Sequence, residues 1–296
     1  MNFIHTNYDQ LYKDVLLSPI MDFGIAYETV KFDHLDKVIA HPNNGYVNFT
    51  YDPKGNLPIL RLRELNLKPP IAEMLWFLRS DKDLTWLQKH TKIWDAFTDD
   101  DGQASCSYGY RWKNHFGRDQ VQGVIDILTK EPGSRQAVII TWDPSKDGLD
   151  STRQKNVPCI PMVQFTIFNN QLNICLTWRS QDVYLGQPFD IIGFALLQQF
   201  VAQKLGIEIG YIHWTINHAH LYENQLENST ILKNTPLPPH SPIALDLSKF
   251  DSKVPLIDLI RSGSDEDLDS ILEFLLSEIK PQYKPIQKLK MVKIVV

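Results

Sequence analysis

The chain has 296 residues, of which 43% are apolar and 22% charged, with a net charge of −5. That length buries a sizeable core and stands between one large domain and two small ones. The acidic balance gives no overall field toward nucleic acid and no support for RNA binding, although a few placed arginines can still hold a substrate phosphate. No stretch approaches the ~18 apolar residues that a membrane-spanning helix needs. Asp9, Lys13 and Asp14 interrupt the first twenty residues, which do not read as a secretory leader. Cys106, Cys159 and Cys175 cannot make a disulfide framework. They fit a reduced cytoplasmic setting and leave room for a working thiol.

No internal repeat is evident. Pro69 to Leu87 begins with prolines suited to a helix start and then places Ile71, Met74, Leu75 and Leu78 at helical spacing. Val121 to Leu128 continues a helical pattern until the breakers Glu131-Pro132-Gly133-Ser134. Gln136 to Trp142 is a short β-branched run that predicts a buried strand. Val163 to Arg179 predicts a hairpin turning at Asn169-Asn170-Gln171. Ile191 to Leu205 predicts a buried helix, and Ile212 to Ile216 another strand. Asn234 to Ser241 reads as a loop, and Ser262 to Asp269 as an acidic loop or a frayed helix start. Strands and helices mix without regular alternation, which predicts an α+β fold in one domain, 1–296.

Three blocks carry chemistry: Asn156-Val157-Pro158-Cys159, the run from Arg179 to Asp190, and His220-Leu221-Tyr222. Taken singly each has an ordinary structural reading. A cysteine after a proline is commonly a small core hydrophobe. Arg179 and Asp182 can form a surface pair, and Asp190 can cap the apolar helix that follows it. His220 and Tyr222 alternate on one face of an extended segment and can be half-core residues.

Together the blocks resemble the thymidylate synthase family, which carries Pro-Cys, then Arg-Ser-x-Asp-x-x-Leu-Gly-x-Pro-Phe-Asn, then His-x-Tyr in this order and spacing. The likeness extends to Glu73-Met74-Leu75-Trp76-Phe77-Leu78, Ile93-Trp94-Asp95, Tyr108-Gly109, Gly133-Ser134-Arg135 and the final Met291 to Val296. Residues 1–60 match poorly. The resemblance implies a thymidylate synthase-like mixed β-sheet with packed helices in a homodimer. It implies 5,10-methylenetetrahydrofolate as co-substrate, a pyrimidine nucleotide as substrate, and no metal.

Roles follow by the same resemblance. Cys159 is the nucleophile at carbon 6, Glu73 manages protons through water, and Tyr108 helps remove the carbon-5 proton. Arg179 and Ser180 hold the phosphate, with the positive charge of Arg179 favouring the thiolate. Arg135 reaches the phosphate of the neighbouring subunit, so the dimer shares its sites. His220 and Tyr222 hold the sugar 3′-hydroxyl, and Gln164 joins the substrate side. Trp94 packs on the folate, Asp182 reads the pterin edge, and Gly186 and Phe189 border that site. Val296 closes over it. The chemistry suits the residue types, because carbon 5 of a pyrimidine becomes nucleophilic only after addition at carbon 6. A thiolate can both add there and leave again.

The departures sharpen the substrate. Asp190 stands where thymidylate synthases have asparagine. An amide matches the O4 acceptor and N3–H donor of uracil, whereas cytosine presents the reverse pair. A carboxyl accepts from N4 and, when protonated, donates to N3, and its ionised form repels O4. Within the family, aspartate here resembles the deoxycytidylate hydroxymethylases that some bacteriophages use to make modified DNA. Ile160 strengthens the reading, since a histidine usually follows the cysteine. Gln136 replaces the second of a pair of arginines, no Arg-Thr-Gly phosphate loop is found near the N-terminus, and Arg63 aligns loosely with a lysine near the folate tail. The expected reaction is hydroxymethylation of deoxycytidylate. Reductive methylation of deoxycytidylate or deoxyuridylate is the alternative, favoured by Trp94 and the Val295-Val296 end. A nucleotide-binding homologue without turnover is a reading from another class, opposed by the joint presence of Cys159, Glu73, Tyr108 and Asp182. A cysteine hydrolase lacks a local signature around Cys159.

Overall fold

The computed structural model describes residues 4–31, 34–148 and 157–292. Asn156 and the C-terminal Val296, both singled out above, lie outside the described residues. The strands are β1 Ile4–His5, β2 Ile25–Lys31, β3 His34–Ala40, β4 Val47–Tyr51, β5 Val138–Ile140, β6 Met162–Phe168, β7 Gln171–Trp178, β8 Gln181–Asp182, β9 Glu208–Ile216 and β10 Ala219–Tyr222. The α-helices are α1 Tyr8–Leu11, α2 Ser18–Phe23, α3 Lys68–Arg79, α4 Thr85–Gln88, α5 Tyr108–Tyr110, α6 Gln120–Lys130, α7 Gly186–Leu205, α8 Leu226–Asn234, α9 Leu256–Ser262 and α10 Asp265–Ile279.

One sheet has the order β1-β4-β9-β7-β6-β5 and a smaller one the order β2-β3-β10-β8. The larger sheet is mixed: β7 runs parallel to β9 and antiparallel to β6. This is the α+β architecture that the irregular mixture of elements predicts. The β6–β7 hairpin turns on two residues. Asn169 and Asn170 both take positive φ, 50° and 58°, the geometry whose twist suits a two-residue hairpin. Gln171 therefore opens β7 instead of completing the turn.

Three expectations need correction. The helical run from Pro69 does not continue to Leu87, because Ser80 turns left-handed at φ 70° and ends α3. Its N–H closes on the carbonyls of Trp76 and Phe77, and the Trp76 indole donates to the Asp83 carbonyl across the turn. The helix expected from Ile191 begins at Gly186, so Asp190 lies inside α7 and does not cap it. Pro188 sits in that first turn, where a missing N–H leaves no helical bond unmade. Finally, the acidic stretch after Ser262 is a formed helix start: Ser264 and Asp267 cap α10 reciprocally.

α7 is buried over nearly all its length, as a helix apolar all round should be. It lies on an aromatic layer of the larger sheet. Trp214 on β9 stacks on Trp178 of β7 at 5.5 Å and on Phe49 of β4 at 6.1 Å, and Phe194 of α7 meets both tryptophans edge-on. Truncating such a buried aromatic costs ~3–5 kcal/mol, so this contact holds α7 in register against the sheet. Asp190 is one turn before Phe194 and shares its inward face. Packing thus carries a polar residue to the sheet.

Candidate active site

Backbone pairing gathers the three blocks. β10 runs parallel to β8, with Ala219 opposite Gln181 and His220 opposite Asp182. The Arg179 N–H donates to the Cys159 carbonyl at 2.9 Å, and the Asn217 N–H to the Trp178 carbonyl at 2.8 Å. Cys159, the Arg179 segment and the His220 strand are therefore brought together at one end of the sheets.

Cys159 is half-buried, and Arg179 wraps it. The guanidinium donates from Nε to the Pro158 carbonyl at 2.8 Å and from Nη2 to the Val157 carbonyl at 2.9 Å, while Nη2 also stands 3.7 Å from Cys159 Sγ. Its carbon lies 5.9 Å from the centre of the Trp142 ring. Ser180 follows on the approach to β8, half-buried.

Glu73 projects from α3 and accepts from the Trp94 indole at 2.5 Å. Burial raises its carboxyl to about 7, with the Trp94 bond opposing the rise. Tyr108 opens α5 against α3, its ring 5.0 Å from Phe77 and 6.0 Å from Trp94. Gly109 makes that approach possible, since a Cβ there would stand 2.0 Å from the Phe77 carbonyl oxygen. Burial, followed by the charges of Cys159, Asp190 and Glu73, raises the Tyr108 phenol well above its ordinary range. These mutual effects put Glu73, Tyr108, Cys159 and Asp190 around one space.

Asp190 accepts from Gln181 Nε2 at 2.9 Å, and Gln181 Oε1 accepts from Trp214 Nε1 at 2.9 Å. Burial, then the charge of Glu73, pushes the Asp190 carboxyl well above the usual carboxylate range. Ile160 is fully buried in the core. Asp182 is tied inward, accepting from the N–H groups of Tyr184 and Leu185 at 2.8 and 3.0 Å and from Gln225 at 2.6 Å. Gly186 lies beside both acids, where a Cβ would be 3.5 Å from Asp190 Oδ2 and 3.8 Å from the Asp182 Cβ. Phe189 is half-buried on α7. His220 meets Tyr222 edge-on at 4.9 Å and stands 3.1 Å from His218 between Nδ1 atoms.

Gln164 is placed differently from this cluster: it sits mid-strand in β6, with its amide donating to the Arg135 carbonyl at 3.0 Å. Arg135 and Gln136 are exposed at that sheet edge. Arg63 stacks 4.4 Å above the Tyr184 ring and donates to the Tyr184 carbonyl. Gln181, Trp214, Gln225 and Trp142 escape a reading of the sequence. Gln181 fills the unspecified position of its block, and a buried tryptophan in a strand gives no signal beyond core. Among the described residues, no cluster of three or more His, Cys, Asp or Glu is arranged as a metal site. Among them, too, no helix is long and apolar enough to cross a membrane.

A half-buried thiol under a guanidinium, facing two raised carboxyls and a phenol, is a centre for nucleophilic catalysis with proton transfer. A sequence model of the thymidylate synthase family matches residues 22–261, and the chain belongs to that family. The match takes in residues 22–60, which resemble the family's motifs poorly, and stops before Met291. Family membership makes the protein a folate-dependent enzyme of one-carbon transfer to carbon 5 of a pyrimidine nucleotide.

Proposed function

We propose that this protein adds a one-carbon unit to carbon 5 of deoxycytidylate and releases the hydroxymethyl nucleotide. The observation that supports it most is the half-buried Asp190, whose surroundings favour the protonated carboxyl. Cytosine has a basic N3 and an N4 donor, so a carboxylic acid pairs with both: the hydroxyl gives its proton to N3 and the carbonyl accepts from N4. Protonation at N3 draws electrons from carbon 6 and aids thiolate addition. An amide cannot give up a proton in this way, and uracil already carries one on N3.

The remaining residues suit that course. Cys159 adds at carbon 6 under the charge of Arg179. Tyr108 and Glu73 flank the space where the carbon-5 proton leaves, and Glu73 accepts a proton from the water that completes a hydroxymethyl product. The residues present fit a folate: Trp94 offers an aromatic wall beside Glu73, and Asp182 a carboxylate held rigid by two backbone N–H groups. Bound 5,10-methylenetetrahydrofolate supplies the one-carbon unit. Gly186 and Phe189 border that side, and Val296 is assigned to closing it. Arg179 and Ser180 take the nucleotide phosphate, with Arg135 reaching it from the second subunit of a homodimer. His220 and Tyr222 take the sugar hydroxyl, and Gln164 supports the substrate side. The free thiols suit a reducing cytoplasm.

The purified protein is incubated with methylenetetrahydrofolate and, separately, deoxycytidylate, deoxyuridylate or the ribonucleotides, and the products are weighed by mass spectrometry. A hydroxymethyl deoxycytidylate supports the proposal. A product from deoxyuridylate alone overturns the cytosine reading, and stoichiometric dihydrofolate marks reductive methylation. Cys159→Ser should abolish turnover and keep nucleotide binding, whereas continued turnover ends the covalent mechanism. Binding without any turnover in the unaltered protein would make it a non-catalytic homologue.

A further inference from the structure

Asp190 does not choose its own orientation. An indole N–H can only donate, so the oxygen of Gln181 must face Trp214 Nε1, and its NH₂ must then face Asp190 Oδ2. Turning the amide over would set two donors against each other at Trp214. Gln181 is 3% exposed and Trp214 fully buried, so water is poorly placed to repair that mismatch. A buried donor left unpaired costs ~1–3 kcal/mol. Trp214 cannot swing away, because Phe49 and Trp178 stack on it and Phe194 closes its edge.

We propose that Gln181 is a positioning residue for base selection: by donating to Oδ2 it makes Oδ2 the acceptor of the Asp190 carboxyl and leaves the proton on Oδ1. The inference rests on the reading of Asp190 as the residue that meets the base. The neutral carboxyl, which burial favours, has one donor and one acceptor, and their order decides which base edge it complements. Cytosine and uracil present opposite orders at positions 3 and 4. Gln181 thus directs the Oδ1 proton at N3 and keeps Oδ2 for the N4 amino group. Base preference therefore depends on the direction in which Gln181 holds the Asp190 carboxyl as well as on the carboxyl itself.

The test compares dCMP and dUMP on the full-length protein, by calorimetric binding and by kcat/KM with methylenetetrahydrofolate. Gln181→Met fills the same space without the amide and should narrow the ratio between the two nucleotides by about tenfold, the equivalent of ~1.4 kcal/mol. Gln181→Glu keeps an acceptor for Trp214 but removes the donor to Asp190, and should reverse the preferred order. Asp190→Asn, which has no acid proton to give to N3, should lose dCMP turnover. An unchanged ratio in Gln181→Met, or an equal loss for both nucleotides, overturns the proposal. If Gln181→Met does not fold, Gln181→Glu decides by the same ratio. A preference for dUMP in the unaltered protein would sink the cytosine reading, yet the Gln181 variants would still move or fail to move that ratio, so the two failures are told apart.

Discussion

Arg179 Nη2 stands 3.7 Å from the Cys159 sulfur while the same guanidinium holds the carbonyls of Val157 and Pro158 at 2.9 and 2.8 Å. One side chain thus both charges the thiol's surroundings and fixes the segment that carries it. A lysine keeps the charge but not the planar fork that spans two carbonyls. Arg179→Lys should slow alkylation of Cys159 by iodoacetamide near neutral pH and lower kcat/KM by ~10²-fold through misplacement of the nucleophile. Alkylation and turnover at the unaltered rate would show that the guanidinium does neither.

Gly109 sets where Tyr108 stands. A Cβ at this position would lie 2.0 Å from the Phe77 carbonyl oxygen and 2.5 Å from its carbon, and backbone cannot yield as a side chain does. Gly109→Ala should destabilise the fold by ~1–3 kcal/mol or more, as overpacking does, and reduce turnover further by moving the phenol. Urea unfolding measures the first effect and kcat the second. Unaltered values of both would mean that α5 can shift without consequence.

Much of this was legible in the sequence because its signals are local. The Asn169-Asn170 turn, the strand alternation of β6 and β7 and the apolar run of α7 each follow from a few neighbouring residues. Pro188 concealed the true start of α7, since a proline reads as a break unless its place in a first turn is known. Cys159, Arg179 and Asp190 stood out through their motif, but Gln181 and Trp214 did not. Their roles exist only after β8 and β9 bring residues 33 positions apart to hydrogen-bonding distance. Asp182 was assigned to a ligand edge, and its bonds to Tyr184, Leu185 and Gln225 reveal a structural hold that spacing alone conceals.

Arg111 and Asp147 form a buried pair next to the site, with Nη1 and Nη2 reaching Oδ2 and Oδ1 at 2.5 and 3.0 Å. Arg111 also donates to the Thr141 carbonyl, and Asp147 accepts from the Asp143 N–H. Removing one partner strands the other charge away from water. Asp147→Ala should cost ~3–5 kcal/mol, whereas replacing both by apolar residues of similar volume should cost far less. Equal urea midpoints for Asp147→Ala and the unaltered protein would show that Arg111 finds another partner or solvent.

Glu73 supplies the pH dependence. Burial raises its carboxyl from the usual 4.5 to about 7, so the folded protein binds this proton more tightly than the unfolded chain does. Its contribution to stability is then fully present below the unfolded value and lost as pH rises through about 7. Glu73→Gln carries no such charge, so its melting temperature relative to the unaltered protein should climb between about pH 5 and about pH 8. Activity should move the other way. A Glu73 that accepts a proton from water works ionised, so kcat should rise through about 7 in the unaltered protein. Glu73→Gln should be slow and lack that step. A variant that keeps the step places the titrating group elsewhere, and Asp190, facing the same space, is the residue to test next.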